Sequence, residues 1–175
     1  MVEQLRETLH LNESIFIQYG IFIEKLFQGD LGISTYTKRP VLVDIVSYFP
    51  ATFELVLMSG LLMILIGMPL GILSGKFKNS IIDNVARLIS LLGVVTPSFL
   101  WAIILMLIFA FWFPILPVSE RMNEGLDPPT LVTGLLLVDS LLEGNFKVFG
   151  DAFLHLILPG LAIALPAIGL SLIHI

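Results

Sequence analysis

The sequence predicts an all-α, multi-pass integral membrane protein with about three transmembrane helices. Three long uncharged stretches lead to this prediction: Leu55 to Gly75 (21 residues), Leu88 to Ser119 (32 residues) and Ala152 to Ile175 (24 residues). About 20 apolar residues in a helix span the roughly 30 Å hydrocarbon layer of a bilayer. The mean hydropathy of +0.98 and the charged content of 13% agree, because soluble domains carry about 25% charged residues.

The first 50 residues form a separate amphipathic segment. Between residues 3 and 27, apolar residues recur at helical spacing with charged residues between them. Such a helix packs on neighbouring protein or lies in the membrane interface, and the pattern leaves both possibilities open. Gly29-Asp30-Leu31-Gly32 predicts a turn. Pro40 then opens a short apolar helix, Val41 to Phe49.

Residues 51–175 form the predicted transmembrane domain. Its spans are expected at about residues 52–75, 88–113 and 152–175, and the first begins at Pro50-Ala51-Thr52. Pro97 lies inside the second span and predicts a kink or a broken helix there. The third span carries Pro159 and Pro166, so it is not expected to be straight either.

Two polar loops, residues 76–87 and 114–151, separate the three spans. The second loop contains the apolar stretch Leu131 to Leu142, which includes Asp139. Twelve residues are too few to cross a bilayer, so this stretch fits an interfacial or re-entrant helix.

The distribution of basic residues predicts the orientation. Lys76, Lys78 and Arg87 lie in the short first loop, whereas the longer segment from Glu120 to Ala152 holds two basic residues and six acids. The positive-inside rule places residues 76–87 in the cytoplasm. The N-terminal segment and the 114–151 loop are then outside, and the C-terminus is inside.

Gly67, Gly71 and Gly75 recur every four residues in the first span. In an apolar helix this spacing makes a face of small residues that another helix can approach closely. The alternative is that membrane helices are simply rich in glycine. We predict that these three glycines pack against another helix, in this chain or in a partner.

Thr96, Pro97 and Ser98 form the main polar point inside a span. Proline frees a backbone carbonyl, which Ser or Thr hydroxyls can satisfy. Two interpretations remain open. In the functional one, these residues form a hinge or line the translocation pathway. In the structural one, they form a kink that the fold tolerates.

Glu54 and His155 are weaker candidates, near the outer mouth of a pathway. Glu54 lies in the first turn of the first span, and His155 lies four residues into the third. The chain has no Cys, and the histidines lack neighbours at ligand-like spacing, so no metal site is expected. No acid or base lies in the middle of a span, which argues against a proton-coupled carrier.

Composition and motifs also exclude several other functions. Without a basic patch, nucleic acid is not an expected partner. The sequence contains no Ser-His-Asp set, no HExxH and no GxxxxGK[ST] loop. We therefore expect neither catalytic residues nor a cofactor bound by this chain, and the protein is not expected to be an enzyme. Membrane lipid is an expected partner, because the three spans would lie in a bilayer.

Eight short motifs follow one another along the chain. They are Gly29-Asp30-Leu31-Gly32, Arg39-Pro40-Val41, Pro50-Ala51-Thr52-Phe53-Glu54-Leu55, Gly67-Met68-Pro69-Leu70-Gly71, Thr96-Pro97-Ser98-Phe99, Leu116-Pro117-Val118-Ser119, Thr133-Gly134 with Asp139-Ser140-Leu141-Leu142, and His155-Leu156-Ile157-Leu158-Pro159. Over about residues 3–170, their order and spacing resemble the inner-membrane permease subunits of ABC importers for dipeptides, oligopeptides and nickel.

This resemblance implies part of a type I ABC importer permease in the inner (cytoplasmic) membrane. Such a subunit pairs with a homologous permease, and two cytoplasmic ATPase subunits use ATP to drive it. An extracytoplasmic solute-binding protein delivers the substrate. The resemblance further implies transport of peptides, nickel complexes or similar small solutes by alternating access. It leaves open which solute is carried and whether the partner permease is identical.

The sequence departs from the family pattern near its end. Ile163-Ala164-Leu165-Pro166 mimics part of the family's ATPase-docking segment, but it lies inside a span, and the acid and glycine that should precede it are not at the right spacing. Ser171 to Ile175 does not resemble the family. We therefore expect a fragment truncated at both ends. The alternative function is a structural membrane subunit, or scaffold, that transports nothing.

Overall fold

The computed structural model describes residues 12–173, apart from the side chain of Ile173. Within this range, the only β-structure is an isolated bridge between Ile33 and Pro40, so the all-α prediction is confirmed. The helices are α1 (Ile15–Phe27), α2 (Val41–Lys76), α3 (Ile81–Val95), α4 (Ser98–Met106), α5 (Leu136–Leu142) and α6 (Phe146–Ile173), and a π-helical segment (Leu107–Trp112) continues α4.

The described residues fall into two compact units that divide between Phe49 and Pro50. In the first unit, α1 begins only after Ser14, and residues 12–14 are not helical. The predicted helix over 3–27 is therefore not continuous, and its residues 3–11 lie outside the described part of the chain. Gly29 and Gly32 have φ angles of 80° and 77°, which suit glycine and make the predicted turn.

Two or three segments of the described chain are able to cross a membrane. The helices α2 and α6 are each long and apolar enough. The third candidate combines α3 with α4 and the π-helical segment, which are bent by 111° at Thr96-Pro97. Pro97 has no N–H to continue the hydrogen bonds of α3, and α4 begins directly after it. The predicted break in the second span therefore lies where Pro97 indicated.

Two helix boundaries differ from the predicted limits. A separate helix was predicted for Val41 to Phe49, but α2 runs through Pro50 without ending. A proline removes one helical hydrogen bond and bends a helix more readily than it stops one. In addition, the last helix begins at Phe146, before the predicted span at 152. The predicted span began where the uncharged stretch begins, but charged residues before it do not prevent helix formation.

Close backbone contact joins α3 to α6. A Cβ atom added to Gly93 would lie 2.7 Å from the carbonyl oxygen of Leu165, and one added to Gly169 would lie 2.7 Å from that of Ser90. Only glycine permits this approach. Next to this contact, Leu105 of α4 packs with Leu158 and Ala162 of α6 to form a buried apolar cluster. The broken middle segment is thus held against α6 on both sides of its break.

Candidate functional site

An ion pair with one buried partner lies at one end of the second unit. The Glu54 side chain is 5% exposed, and its Oε2 lies 2.6 Å from Nη2 of Arg121. The backbone N–H of Leu137, in the first turn of α5, donates to Oε1 of Glu54 over 2.7 Å. Both carboxylate oxygens of Glu54 are therefore paired, as a buried charge requires. These bonds connect α2 to the loop after the π-helical segment and to α5.

Asp151 of α6 holds the same loop from the other side. The backbone N–H of Asn123 donates to Oδ2 of Asp151 over 2.7 Å, and the side-chain amide of Asn123 also donates to Oδ1 of Asp151. Nδ1 of His155 lies 2.8 Å from the carbonyl oxygen of Asp151. The loop around residues 120–123 is thus fastened to α2 through Glu54 and to α6 through Asp151.

Asp139 organises the segment that leads into α5. Oδ1 accepts from the backbone N–H and the hydroxyl of Thr133 over 2.9 and 2.7 Å. Oδ2 accepts from the N–H groups of Val132 and Gly134 over 3.2 and 3.0 Å. The hydroxyl of Thr133 and these N–H groups lower the pKa of Asp139, against the opposing effect of burial. A carboxylate with four donors fixes residues 132–134 as a tight turn.

A cavity of about 240 Å³, named the Glu54 cavity, opens beside this polar cluster. Its polar lining comes from Thr52, Glu54, Glu120, Arg121 and His155. Its apolar lining includes Leu55, Leu136, Leu156 and Pro159. The predicted candidates Glu54 and His155 therefore lie on the wall of one cavity, although 101 positions separate them in the sequence.

A second cavity of about 380 Å³ lies between α4 and α6. Glu120, His155 and Pro159 line both this cavity and the Glu54 cavity. Met106 and Ile103 contribute to the apolar part of its wall. The three shared residues thus form a partition between two spaces at the same end of the unit.

A second polar cluster, centred on Asp83, joins the end of α2 to the start of α3. Arg87 donates two hydrogen bonds to the Asp83 carboxylate, from Nε over 3.1 Å and from Nη2 over 3.0 Å. The Ser74 hydroxyl and the Asn79 N–H also donate to this carboxylate, over 2.6 and 2.9 Å. Ser74 follows Glu54 by 20 positions in α2, which is about 30 Å along a helix. That rise matches the thickness of the hydrocarbon layer.

The structure places the other predicted residues separately from the Glu54 cavity. Thr96 is half-buried, and Pro97 and Ser98 are exposed at the break between α3 and α4. Gly67 and Gly71 are buried in α2, and a Cβ on Gly67 would lie 3.6 Å from Cγ1 of Ile168 in α6. Gly75 is half-buried and lines a cavity of about 580 Å³ beside Asp83. Their functional roles stay predictions.

Several residues of these clusters were not singled out from the sequence. Arg121 is one of two basic residues in the 114–151 loop, so a buried acid elsewhere had few possible partners. Asp139 is a lone acid in an apolar stretch, and such an acid needs donors. Gly93 is the one glycine of α3, and Gly169 follows Gly160 in α6 by nine positions. Neither belongs to a four-residue glycine repeat, so only the tertiary contact reveals them.

A protein-family model described as "Binding-protein-dependent transport system inner membrane component" matches residues 67–175. The chain is 43% identical over 170 residues to the probable D,D-dipeptide transport system permease protein DdpB of Escherichia coli (strain K12). That alignment covers 97% of this chain and 50% of the relative.

Two further relatives carry related names. The chain is 38% identical over 162 residues to the dipeptide transport system permease protein DppB of Alkalihalophilus pseudofirmus, covering 93% of this chain and 48% of that protein. It is 36% identical over 109 residues to the oligopeptide transport system permease protein OppB of Haemophilus influenzae, covering 62% and 36%. The chain thus spans about half the length of the first curated relatives.

Proposed function

The chain belongs to the family of binding-protein-dependent transport system inner membrane components, and we propose that it forms part of the permease subunit of an ABC importer for dipeptides. The observation that carries this proposal is the 43% identity, over 97% of the chain, to a permease named for D,D-dipeptide transport. A second relative is named for dipeptides. These names favour peptides over nickel complexes as the substrate class.

The arrangement of the spans supports a transport role. Along the chain, two continuous helices precede and follow a middle segment that is broken at Thr96-Pro97. A broken helix inside a membrane exposes backbone polar groups that suit a pathway. We propose that alternating access moves this segment against α6. Partner ATPases would supply the energy, so the permease subunit itself is not an enzyme and binds no cofactor through these residues.

The proposed assembly contains a homologous permease, two cytoplasmic ATPases and an extracytoplasmic solute-binding protein. In the proposed orientation the Asp83 cluster faces the cytoplasm. The reason is that Lys76, Lys78 and Arg87 lie in or beside this cluster, and the positive-inside rule assigns loops rich in basic residues to the cytoplasmic side. The Glu54 cavity then faces outward, roughly 30 Å away along α2. In this orientation the solute-binding protein would deliver its solute to the side that carries Glu54 and His155.

The orientation is tested by cysteine labelling, which the absence of Cys from this sequence simplifies. We expect Glu124→Cys to react with an impermeant maleimide in intact spheroplasts. Lys78→Cys should react only after the membrane is opened. The reverse pattern would overturn the proposed orientation.

The transport role is tested by uptake of radiolabelled dialanine in a bacterial strain that lacks its own dipeptide permeases. The full-length subunit that carries this sequence is expressed with its partner permease, ATPases and binding protein. We expect ATP-dependent uptake that unlabelled dialanine suppresses and nickel salts do not. Normal membrane abundance and complex assembly without uptake of any peptide would favour the scaffold alternative.

A further inference from the structure

His155 has an unused nitrogen at the partition between the two cavities. Its side chain is 3% exposed. Nδ1 lies 2.8 Å from the Asp151 carbonyl oxygen, and because a carbonyl only accepts, Nδ1 carries the proton. In the neutral ring Nε2 is then an acceptor, and no hydrogen bond from residues 12–173 reaches it. His155 lines both cavities, so a donor group of a molecule in either cavity could hydrogen-bond to this unpaired acceptor.

Arg121 also keeps unused hydrogen-bonding capacity. Only Nη2 of its guanidinium bonds to described residues, namely the carboxylate of Glu54 and, at 3.4 Å, the carbonyl oxygen of Gly134. A guanidinium has five N–H donors in a fork that matches a carboxylate. The side chain is 41% exposed and lines the Glu54 cavity. Arg121 is therefore able to bind a carboxylate while it stays paired with Glu54.

Glu120 supplies the opposite charge on the same wall. It has a φ of 67°, a left-handed conformation that costs a non-glycine residue free energy. Glu120 in this conformation lines both cavities. Within residues 12–173, the polar groups of this wall with unused hydrogen-bonding capacity are thus one cation, Arg121, and two acceptors, Glu120 and Nε2 of His155. Apolar residues form most of the rest of the wall of the Glu54 cavity.

We propose that the Glu54 cavity binds a dipeptide by its two charged ends. The peptide carboxylate would accept hydrogen bonds from Arg121, and the peptide ammonium would donate to Glu120 and to Nε2 of His155. The apolar wall, including Leu55 and Leu156, would receive the side chains. A volume of about 240 Å³ equals about eight water molecules at roughly 30 Å³ each, which suits a small solute. The proposal rests on the proposed function.

The test is equilibrium binding of radiolabelled dialanine to the full-length permease complex in nanodiscs, without ATP and without the solute-binding protein. We expect saturable binding that unlabelled dialanine displaces. N-acetyl-dialanine and dialanine amide, which each lack one charged end, should compete at least about ten-fold more weakly, the effect of losing a hydrogen bond to a charged group. Equal competition by the blocked peptides would overturn the proposed contacts.

Two substitutions test the residues. Glu120→Gln, on an exposed residue that does not endanger folding, should weaken binding about ten-fold. His155→Phe should weaken it as well. The control Glu124→Gln changes an exposed acid of the same loop outside both cavities, and it should bind like the parent.

Transport and binding together separate the two proposals. A complex that imports dialanine but shows no saturable binding, or binds equally after Glu120→Gln, would overturn the site and leave the proposed function intact. Absence of dialanine import by the assembled parent complex would overturn the function itself. Binding that is lost with Glu120→Gln and kept with Glu124→Gln supports the site.

Discussion

Glu54 of α2 and Arg121 of the following loop form an ion pair with 2.6 Å between Oε2 and Nη2, across 67 positions of sequence. Glu54 is buried and Arg121 is partly exposed. The pair therefore costs the desolvation of mainly one charge, and the Leu137 N–H compensates part of that cost. This contact ties a candidate membrane span to the loop that covers the Glu54 cavity.

Removing Arg121 should destabilise the protein more than removing both charges. Arg121→Gln leaves the buried Glu54 carboxylate without its cation, and we expect a loss of about 1–3 kcal/mol in the free energy of unfolding. The double variant Glu54→Gln/Arg121→Gln should recover part of this loss, because a neutral amide still accepts from Leu137. The measurement is denaturant unfolding of the full-length subunit in detergent, arranged as a double-mutant cycle. Additive losses would contradict the coupling.

The approximate positions of the long apolar helices were predictable from local sequence. Long uncharged stretches marked the apolar cores of α2, of the broken middle segment and of α6, and Pro97 marked the break. The exact helix ends were not predictable in this way. An uncharged stretch ends at the first charged residue, but a helix need not end there. The helix α6 continues through Lys147 and Asp151, because backbone hydrogen bonds do not depend on apolar side chains.

The candidate site was predictable only in part. Glu54 and His155 were recognised as polar residues near span ends, but their common cavity depends on how α2 and α6 pack. Arg121 and Asp139 were visible as lone charges whose partners the sequence does not name. Long-range pairing depends on tertiary structure, so the local pattern did not predict which groups would pair.

Gly93 and Gly169 should tolerate alanine poorly. A Cβ at either position would lie 2.7 Å from a backbone carbonyl oxygen, so α3 and α6 would have to separate. We expect Gly93→Ala and Gly169→Ala each to lower the free energy of unfolding by about 1–3 kcal/mol. The matched control is Gly60→Ala in α2, where no atom lies within 4 Å. Alanine there should be neutral or stabilising by up to about 1 kcal/mol.

The glycine variants are compared with the parent as the detergent-solubilised subunit, and unfolding is followed by tryptophan fluorescence. Gly67→Ala is an intermediate case, since its Cβ would make ordinary contact with Ile168 at 3.6 Å. We expect only a small effect there. If Gly93→Ala proved as stable as Gly60→Ala, the close approach of α3 and α6 would be wrong.

Asp139 should contribute stability that acid removes. Its native pKa is lowered, chiefly by the Thr133 hydroxyl, so the native state favours the ionised form. The contribution is therefore complete well above the usual carboxyl pKa of about 3.9. It is lost as the pH falls from about 5 through the lowered native pKa. Asp139→Asn should reduce stability at neutral pH, because the amide NH₂ would face backbone N–H donors.

The pH profile of thermal unfolding between about pH 7 and pH 2 checks this expectation. Asp139→Asn should flatten the acid-dependent decline relative to the parent. Asp127→Asn, at an exposed acid of the same loop, serves as the control and should leave the profile unchanged. An unaltered acid decline in Asp139→Asn would show that other carboxylates produce it.

Pro97→Ala should impair transport more than membrane insertion. In the structure Thr96 donates to the carbonyl of Leu92 as α3 ends, and the carbonyl of Pro97 accepts from Leu100 as α4 begins. Alanine supplies the N–H that proline lacks, so it would allow α3 to continue and would oppose the 111° bend. We expect dialanine uptake to fall about five-fold or more, the effect of a shift of roughly 1 kcal/mol between two conformations.

Membrane abundance, measured by quantitative immunoblot of the same cells, should stay near the parent level. Pro69→Ala is the matched control, because Pro69 lies inside α2, which continues through it without a break. Its removal should leave both uptake and abundance unchanged. Loss of uptake and abundance in equal proportion after Pro97→Ala would assign Thr96-Pro97 to folding alone. Loss of uptake with normal abundance would identify the break between α3 and α4 as a moving part of the transporter.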